Sequence, residues 1–210
     1  FYDPDEGAVR VDGHDLRAVD LRAYRRQLGV VLQDPFLFSG TIADNIRFAQ
    51  PDATDEQVAD VARAIGVDRI ARRFSKGLLH EVREGGAGLS AGERQLISIA
   101  RALLADPRIL ILDEATSNID RPTEILIENA LDRLLRGRTS IIIAHRLATV
   151  RRADEILVLE HGRIAQRGRF DELLAAEGPF RDLASQLHGV SDSALQSAPV
   201  STSSTPGIAL

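Results

Sequence analysis

Apolar positions recur along this chain with two periods. From Asp55 to Leu79 the spacing is helical, with Val58, Val61, Ala62 and Ile65 on one face and Thr54 placed to cap the start. The segment ERQLISIARALLA predicts a strong helix beginning near Glu93, with Leu96, Ile99, Ala100 and Leu103 along one side; the glycine-rich stretch EGGAGLSAG leads directly into it. Thr123 to Leu135 predicts another helix through Ile125, Leu126, Ala130, Leu131 and Leu134, and Phe170 to Leu187 a further one broken at Gly178-Pro179. Two shorter helical stretches are LRAYRRQLG and IADNIRF, the latter capped by Thr41.

Between these lie short aliphatic runs. Val30 to Leu32, Ile109 to Leu112 and Ser140 to Ala144 are too short for helices and read as strands buried on both faces. Ala8 to Val11 gives another short strand, and Glu155 to Leu159 with Arg163 to Gln166 flank the turn His161-Gly162 as a hairpin or adjacent strands. Strands alternating with helices predict an α/β fold with a mainly parallel sheet. No internal repeat is visible, and beyond Gly189 the Ser/Pro-rich stretch SDSALQSAPVSTSSTPG is expected to be disordered.

Three of the buried strands end in polar residues: Gln33, the pair Asp113/Glu114, and His145. In a parallel sheet the carboxyl ends lie along one edge, which faces the ligand crevice. A carboxylate there is placed to hold Mg²⁺ near phosphates. Each residue alone also has a bland reading: a strand or turn cap for Gln33 and the acids, a hydrogen-bonded core residue for His145. Shared placement is what favours a site.

Composition narrows the class. With 210 residues, 44% of them hydrophobic, the chain is long enough for one core or a core plus a small subdomain. No stretch approaches the roughly 20 apolar residues of a spanning helix, and FYDPDEG lacks the basic and apolar regions of a signal peptide. The absence of cysteine excludes disulfides and thiolate metal sites. A net charge of -5 argues against nucleic acid as partner. The chain has no methionine and opens on a turn-like segment, so it is expected to be a piece of a longer protein.

At this point the motifs resemble those of the nucleotide-binding domain of ATP-binding cassette (ABC) transporters. LSAGERQ, Leu89 to Gln95, is similar to the signature usually written LSGGQ; ILILDEATSNID resembles a Walker B motif followed by a D-loop, Ser117-Asn118-Ile119-Asp120. Gln33 in VVLQDP matches the Q-loop and His145 in IIIAHRL the switch histidine. Order and approximate spacing also fit, so the resemblance covers Phe1 to about Leu187. It implies a P-loop NTPase-like sheet flanked by helices, with an inserted helical subdomain at about 40–105 in a partial ATPase domain at 1–188, followed by the tail 189–210.

The resemblance also implies roles. Asp113 would bind Mg²⁺, with Gln33 in the metal and water shell, and Glu114 would be the general base for the attacking water. His145 would hydrogen-bond the γ-phosphate. Leu89, Ser90, Ala91, Gly92 and Glu93 would contact ATP held by a second cassette, in a homo- or heterodimer, and Asp120 would sit at that interface. PFLFSGTIADNI, Pro35 to Ile46, is similar to exporters whose cassette is fused behind a membrane domain. There Phe36 and Phe38 would transmit motion to a coupling helix at the cytoplasmic face of the plasma membrane; the plainer reading makes both core residues.

The sequence departs from the family at several places. Ala91 replaces a usual glycine and Glu93 a usual glutamine, and HEVREGGAG carries Arg83 where a glycine is common. The phosphate-binding loop GxxxxGK(S/T) occurs nowhere, nor does the upstream aromatic that stacks on adenine; both are expected just ahead of Phe1. Without them the fragment is expected to bind ATP poorly. Three alternatives stand beside the exporter reading: a separate ATPase subunit of an importer, a soluble ABC ATPase of DNA repair or chromosome organisation, and a degenerate cassette that regulates without hydrolysis. Only a modest segment without heptads separates Gln33 from Ser90, unlike the coiled-coil insertions of the repair proteins.

Overall fold

The computed structural model describes residues 2–113, 119–144, 146–188 and 207–209. It begins with a small antiparallel hairpin, β1 (Arg10–Val11) and β2 (His14–Asp15), whose turn holds Asp12 and Gly13 at positive φ. Asp20 then caps α1 (Leu21–Arg25) by accepting from the Arg22 N–H, and β3 (Leu28–Val31) follows.

A second antiparallel pair frames the helical part. β4 (Gly40–Thr41) pairs with the later β5 (Glu81–Val82), and between them run α2 (Ile42–Arg47), α3 (Asp55–Ile65) and α4 (Val67–Ala71). Threonines start the first two helices as expected: Thr41 and Thr54 each form a capping box with the residue three positions on, Asp44 and Gln57. Gly66 ends α3 in the left-handed region at φ +88°, the conformation that lets α4 turn away at once.

The long helix α5 (Ala91–Ala105) binds these parts together. It packs on α2, α3 and α4, on β3 and on α6 (Arg121–Leu135), which follows β6 (Ile109–Asp113). Leu96, Ile97, Ile99 and Ala100 are completely enclosed and join Leu37, Ile46, Leu110 and Ile127 in one continuous apolar cluster. A fully enclosed Leu or Ile contributes about 2 kcal/mol, so this helix is a principal source of stability.

The central sheet has the order β3-β6-β7-β10-β8-β9 among the described residues. β3, β6 and β7 (Thr139–Ile143) are parallel neighbours, with Val31 opposite Leu112 and Leu112 opposite Ile142. α7 (Leu147–Arg151) leads to β8 (Glu155–Glu160), which forms an antiparallel hairpin with β9 (Arg163–Gly168). α8 (Phe170–Ala175) and α9 (Pro179–His188) close a second apolar cluster around Ile156, Val158, Phe170 and Phe180.

Two expectations need correction. Within these 210 residues the aliphatic strands are not covered on both faces: Val31, Leu110, Leu112 and Ile142 are buried, but Val30 and Leu32 are 51% and 53% exposed. α5 and α6 cover one face, and side chains of opposite parity stay accessible. A short aliphatic run therefore marks a central strand without establishing how many faces are covered. The second correction lies in the tail, expected to be disordered: residues Gly207–Ala209 form β10, parallel to both β7 and β8. The remaining tail residues, 189–206 and 210, lie outside the described residues.

Candidate functional site

The site begins where β3, β6 and β7 end. Val31 is the last residue of β3 and lies opposite Leu112, so Gln33 stands two residues beyond the end and Asp113 one beyond its paired neighbour. Asp113 closes β6 opposite Ile143, the last residue of β7. Parallel pairing thus carries Gln33 and Asp113 to one edge of the sheet, as the sequence predicts. Gln33 is exposed and Asp113 half-buried. Glu114 and His145, along with Ser117 and Asn118, lie outside the described residues.

The candidate signature enters α5 from Leu89. Ser90 is the N-cap, and its capping box is complete: Ser90 Oγ accepts from the Glu93 N–H at 3.2 Å, and Glu93 Oε2 accepts from the Ser90 N–H at 2.9 Å. Glu93 is also ion-paired with Arg73 of the helical part. Both carboxylate oxygens are therefore engaged inside the protein. The helix starts at Ala91, two residues earlier than expected, because the Ser90 hydroxyl captures the third N–H rather than a later one. Ser90 and Ala91 remain exposed, Leu89 and Gly92 are buried.

Gly92 is buried for a reason that lies on α6. A β-carbon at this position would be 2.4 Å from Thr123 Cγ2 and 3.0 Å from Ile119 Cγ2. Only glycine allows α5 and α6 to come this close. Asp120 caps α6 and accepts from both the Thr123 N–H at 3.2 Å and its hydroxyl at 3.0 Å. These bonds hold the Asp120 carboxyl below the ordinary aspartate pKa. The candidate D-loop and signature of one copy are thus packed on each other.

Glu124 on α6 reaches the segment after β7. It pairs with Arg121 at 2.9 Å and with Arg146, the residue next to His145. Burial raises the Glu124 pKa, but hydrogen bonds from Arg121 and Arg146 outweigh that, and the net shift is downward. An ionised Glu124 therefore anchors the chain immediately after the position of His145.

Two of these partners escaped the sequence reading: Glu124, one of several acids on a helix whose apolar face alone was read, and Arg101. The latter had a usable signal, since a lone arginine interrupts the apolar stretch LISIARALLA. Its contacts tie α5 to residues 36–48. Phe36 and Phe38, for which a core position was the plainer expectation, are 47% and 40% exposed, while Leu37 between them is fully buried.

The donor set fits the expected ligand. Among the described residues no group of three or more His, Cys, Asp or Glu could cage a metal. One carboxylate and one amide, Asp113 and Gln33, suit a magnesium ion whose remaining ligands are water and phosphate oxygens. The N–H groups of Ala91 and Gly92, in the first turn of α5, suit an anion.

Comparison with known proteins places the geometry in a family. A family model described as ABC transporter matches residues 1–117. The "Uncharacterized ABC transporter ATP-binding protein YknV" of Bacillus subtilis (strain 168) is 51% identical over 183 residues, 87% of this chain and 30% of that protein. The "Beta-(1-->2)glucan export ATP-binding/permease protein NdvA" of Rhodopseudomonas palustris (strain BisA53) is 49% identical over 199 residues, 94% of this chain and 33% of that protein. A solved structure of a bacterial Atm1-family ABC exporter with ATP bound superposes with a TM-score of 0.80 at 37% identity, covering 94% of this chain and 34% of that one. The chain spans about a third of the length of these relatives.

Proposed function

The chain belongs to the ABC transporter family, and we propose that it serves as the ATPase part of an exporter that hydrolyses ATP between two cassettes at the cytoplasmic face of a membrane. The observation that carries this reading is the placement of Gln33 and Asp113 at the carboxyl ends of neighbouring parallel strands. Fusion to a membrane domain is favoured because 94% of this chain matches NdvA, which is described as an ATP-binding/permease protein and of which the match covers 33%.

The roles are those that the resemblance to the family implies, and they suit phosphoryl-transfer chemistry, which needs charge neutralisation and a positioned water. Asp113 and Gln33 would hold magnesium, which offsets phosphate charge when bound. Glu114 takes a proton from the attacking water, and His145 hydrogen-bonds the γ-phosphate. Ser90 with the first-turn N–H groups of α5 faces the γ-phosphate of ATP held by the second cassette. Leu89 and Glu93 act from inside, one packing the turn and the other closing the cap. Asp120, which caps α6 beside Gly92, lies on the face turned toward the second cassette.

Residues 1–188 form the ATPase part and about 40–105 its helical subdomain; the exposed rings of Phe36 and Phe38 are the surface for a coupling helix of the membrane domain. The reading requires a GxxxxGK(S/T) loop in the full-length protein, because none occurs in these 210 residues. Glu114→Gln in the full-length protein tests the assignment: ATP should still bind, while hydrolysis falls by about 100-fold or more. Turnover at the unsubstituted rate would remove Glu114 as the base.

A further inference from the structure

Helix α5 carries the candidate signature at its first turn, and Arg101 lies eleven residues further on, about 16 Å along the axis. The Arg101 guanidinium is half-buried, and three of its nitrogens make hydrogen bonds. Nε donates to the Asn45 carbonyl at 2.9 Å, one terminal nitrogen to the Phe36 carbonyl at 3.2 Å, and the other to Asn45 Oδ1 at 3.1 Å. Asn45 is buried and passes the connection on, accepting from the Phe38 N–H at 2.8 Å and donating to the Phe38 carbonyl at 2.9 Å.

The same guanidinium lies against two rings. It lies 5.5 Å from the Phe38 centroid and 5.3 Å from that of Phe48, which are themselves stacked at 4.2 Å; Phe36 packs edge-on to Phe38 at 5.2 Å. Phe36, Phe38 and Phe48 are 47%, 40% and 55% exposed, so the surface is aromatic and open while its support is polar and enclosed. Among the described residues no carboxylate pairs with Arg101. Burial lowers its pKa, although a guanidinium stays charged. Charge-assisted hydrogen bonds to two carbonyls and an amide oxygen hold the guanidinium in one orientation.

We propose that Arg101 is a positioning residue, a strut that locks the Phe36/Phe38/Phe48 surface to α5, so that this surface and the Ser90 end of the helix move as one body. The inference rests on the reading of that surface as the coupling site. Its chemistry depends on the planar fork, because lysine would supply the charge at one point without bridging the Asn45 and Phe36 carbonyls.

The test uses the full-length transporter in membranes. It compares Arg101→Lys and Arg101→Ala with Phe38→Ala, reading basal ATP hydrolysis, transport per ATP hydrolysed and thermal unfolding. Arg101→Lys is expected to fold and to keep basal hydrolysis within about twofold, while transport per ATP falls by roughly tenfold, as in Phe38→Ala. Full coupling in Arg101→Lys, with Phe38→Ala uncoupled, would overturn the strut and leave the coupling surface standing. Full coupling in Phe38→Ala would overturn the reading of the surface and the strut with it. Parallel loss of basal hydrolysis and transport in Arg101→Lys would show a purely structural role and overturn the proposal, whatever Arg101→Ala does to folding.

Discussion

Gly92 and Thr123 hold α5 and α6 at a separation that admits no β-carbon: one placed on Gly92 would lie 2.4 Å from Thr123 Cγ2. Threonine is short and β-branched, so its methyl cannot swing aside as the end of a long side chain could. Gly92→Ala should therefore force the helices apart or displace the Asp120 cap, at a cost of about 1–3 kcal/mol in denaturant unfolding. Thr123→Ser removes the methyl and keeps the hydroxyl that Asp120 accepts from. In the Gly92→Ala background it should recover part of the loss, the rest being due to Ile119 at 3.0 Å. Additive effects of the two substitutions would show that the contact is not the cause.

Glu93 departs from the usual family glutamine, and the structure shows what the carboxylate does: it closes the Ser90 capping box and pairs with Arg73. Glutamine can perform the first task and not the second. Glu93→Gln should therefore cost about 1 kcal/mol, the upper end of the scale for surface pairs, since Arg73 is 57% exposed but the Glu93 side chain is buried. Glu93→Ala also removes the acceptor for the Ser90 N–H and should cost about 1–2 kcal/mol. Equal thermal shifts in the two variants would contradict the division.

Asp120 gives the α6 cap a pH dependence. Hydrogen bonds from the Thr123 hydroxyl and N–H lower its folded-state pKa. The group binds its proton less tightly folded than unfolded, so its contribution is fully present above the unfolded value, near pH 4, and is lost as pH falls through the folded value. Thr123→Val removes the hydroxyl and should move the carboxyl titration of Asp120 upward in an NMR pH series. Asp120→Asn should keep an acceptor at the cap while flattening the acid limb of unfolding midpoint against pH. An unmoved titration in Thr123→Val would mean that the hydroxyl is not the cause.

Much of the fold was legible because its signals are local. Thr41 and Thr54 announce helix starts three residues before an acceptor, and the aliphatic runs at 30–32 and 109–112 mark parallel neighbours whose ends carry Gln33 and Asp113. What could not be read depends on the partner. The exposure of Val30 follows from which face α5 and α6 cover, and the need for glycine at 92 follows from Thr123, thirty-one positions away. Three residues of a polar tail, 207–209, take a place between β7 and β8 that no periodicity in so short a segment predicts. Arg101 belongs to the same class: its loneliness in an apolar helix is visible, but its carbonyl and ring partners come from residues 36–48.

The claim that the site is completed by a second cassette is tested most directly at Ser90. Aspartate caps a helix as well as serine does, so Ser90→Asp should leave α5 and the thermal unfolding of the full-length protein unchanged. Its carboxylate would, however, face the γ-phosphate of nucleotide bound by the other cassette. ATP affinity and turnover should be measured together on this variant. The account predicts affinity within about twofold of the unsubstituted protein and hydrolysis reduced by roughly 100-fold. Turnover at the unsubstituted rate would contradict it, and so would affinity lost in proportion to turnover, which would place Ser90 against the copy's own nucleotide.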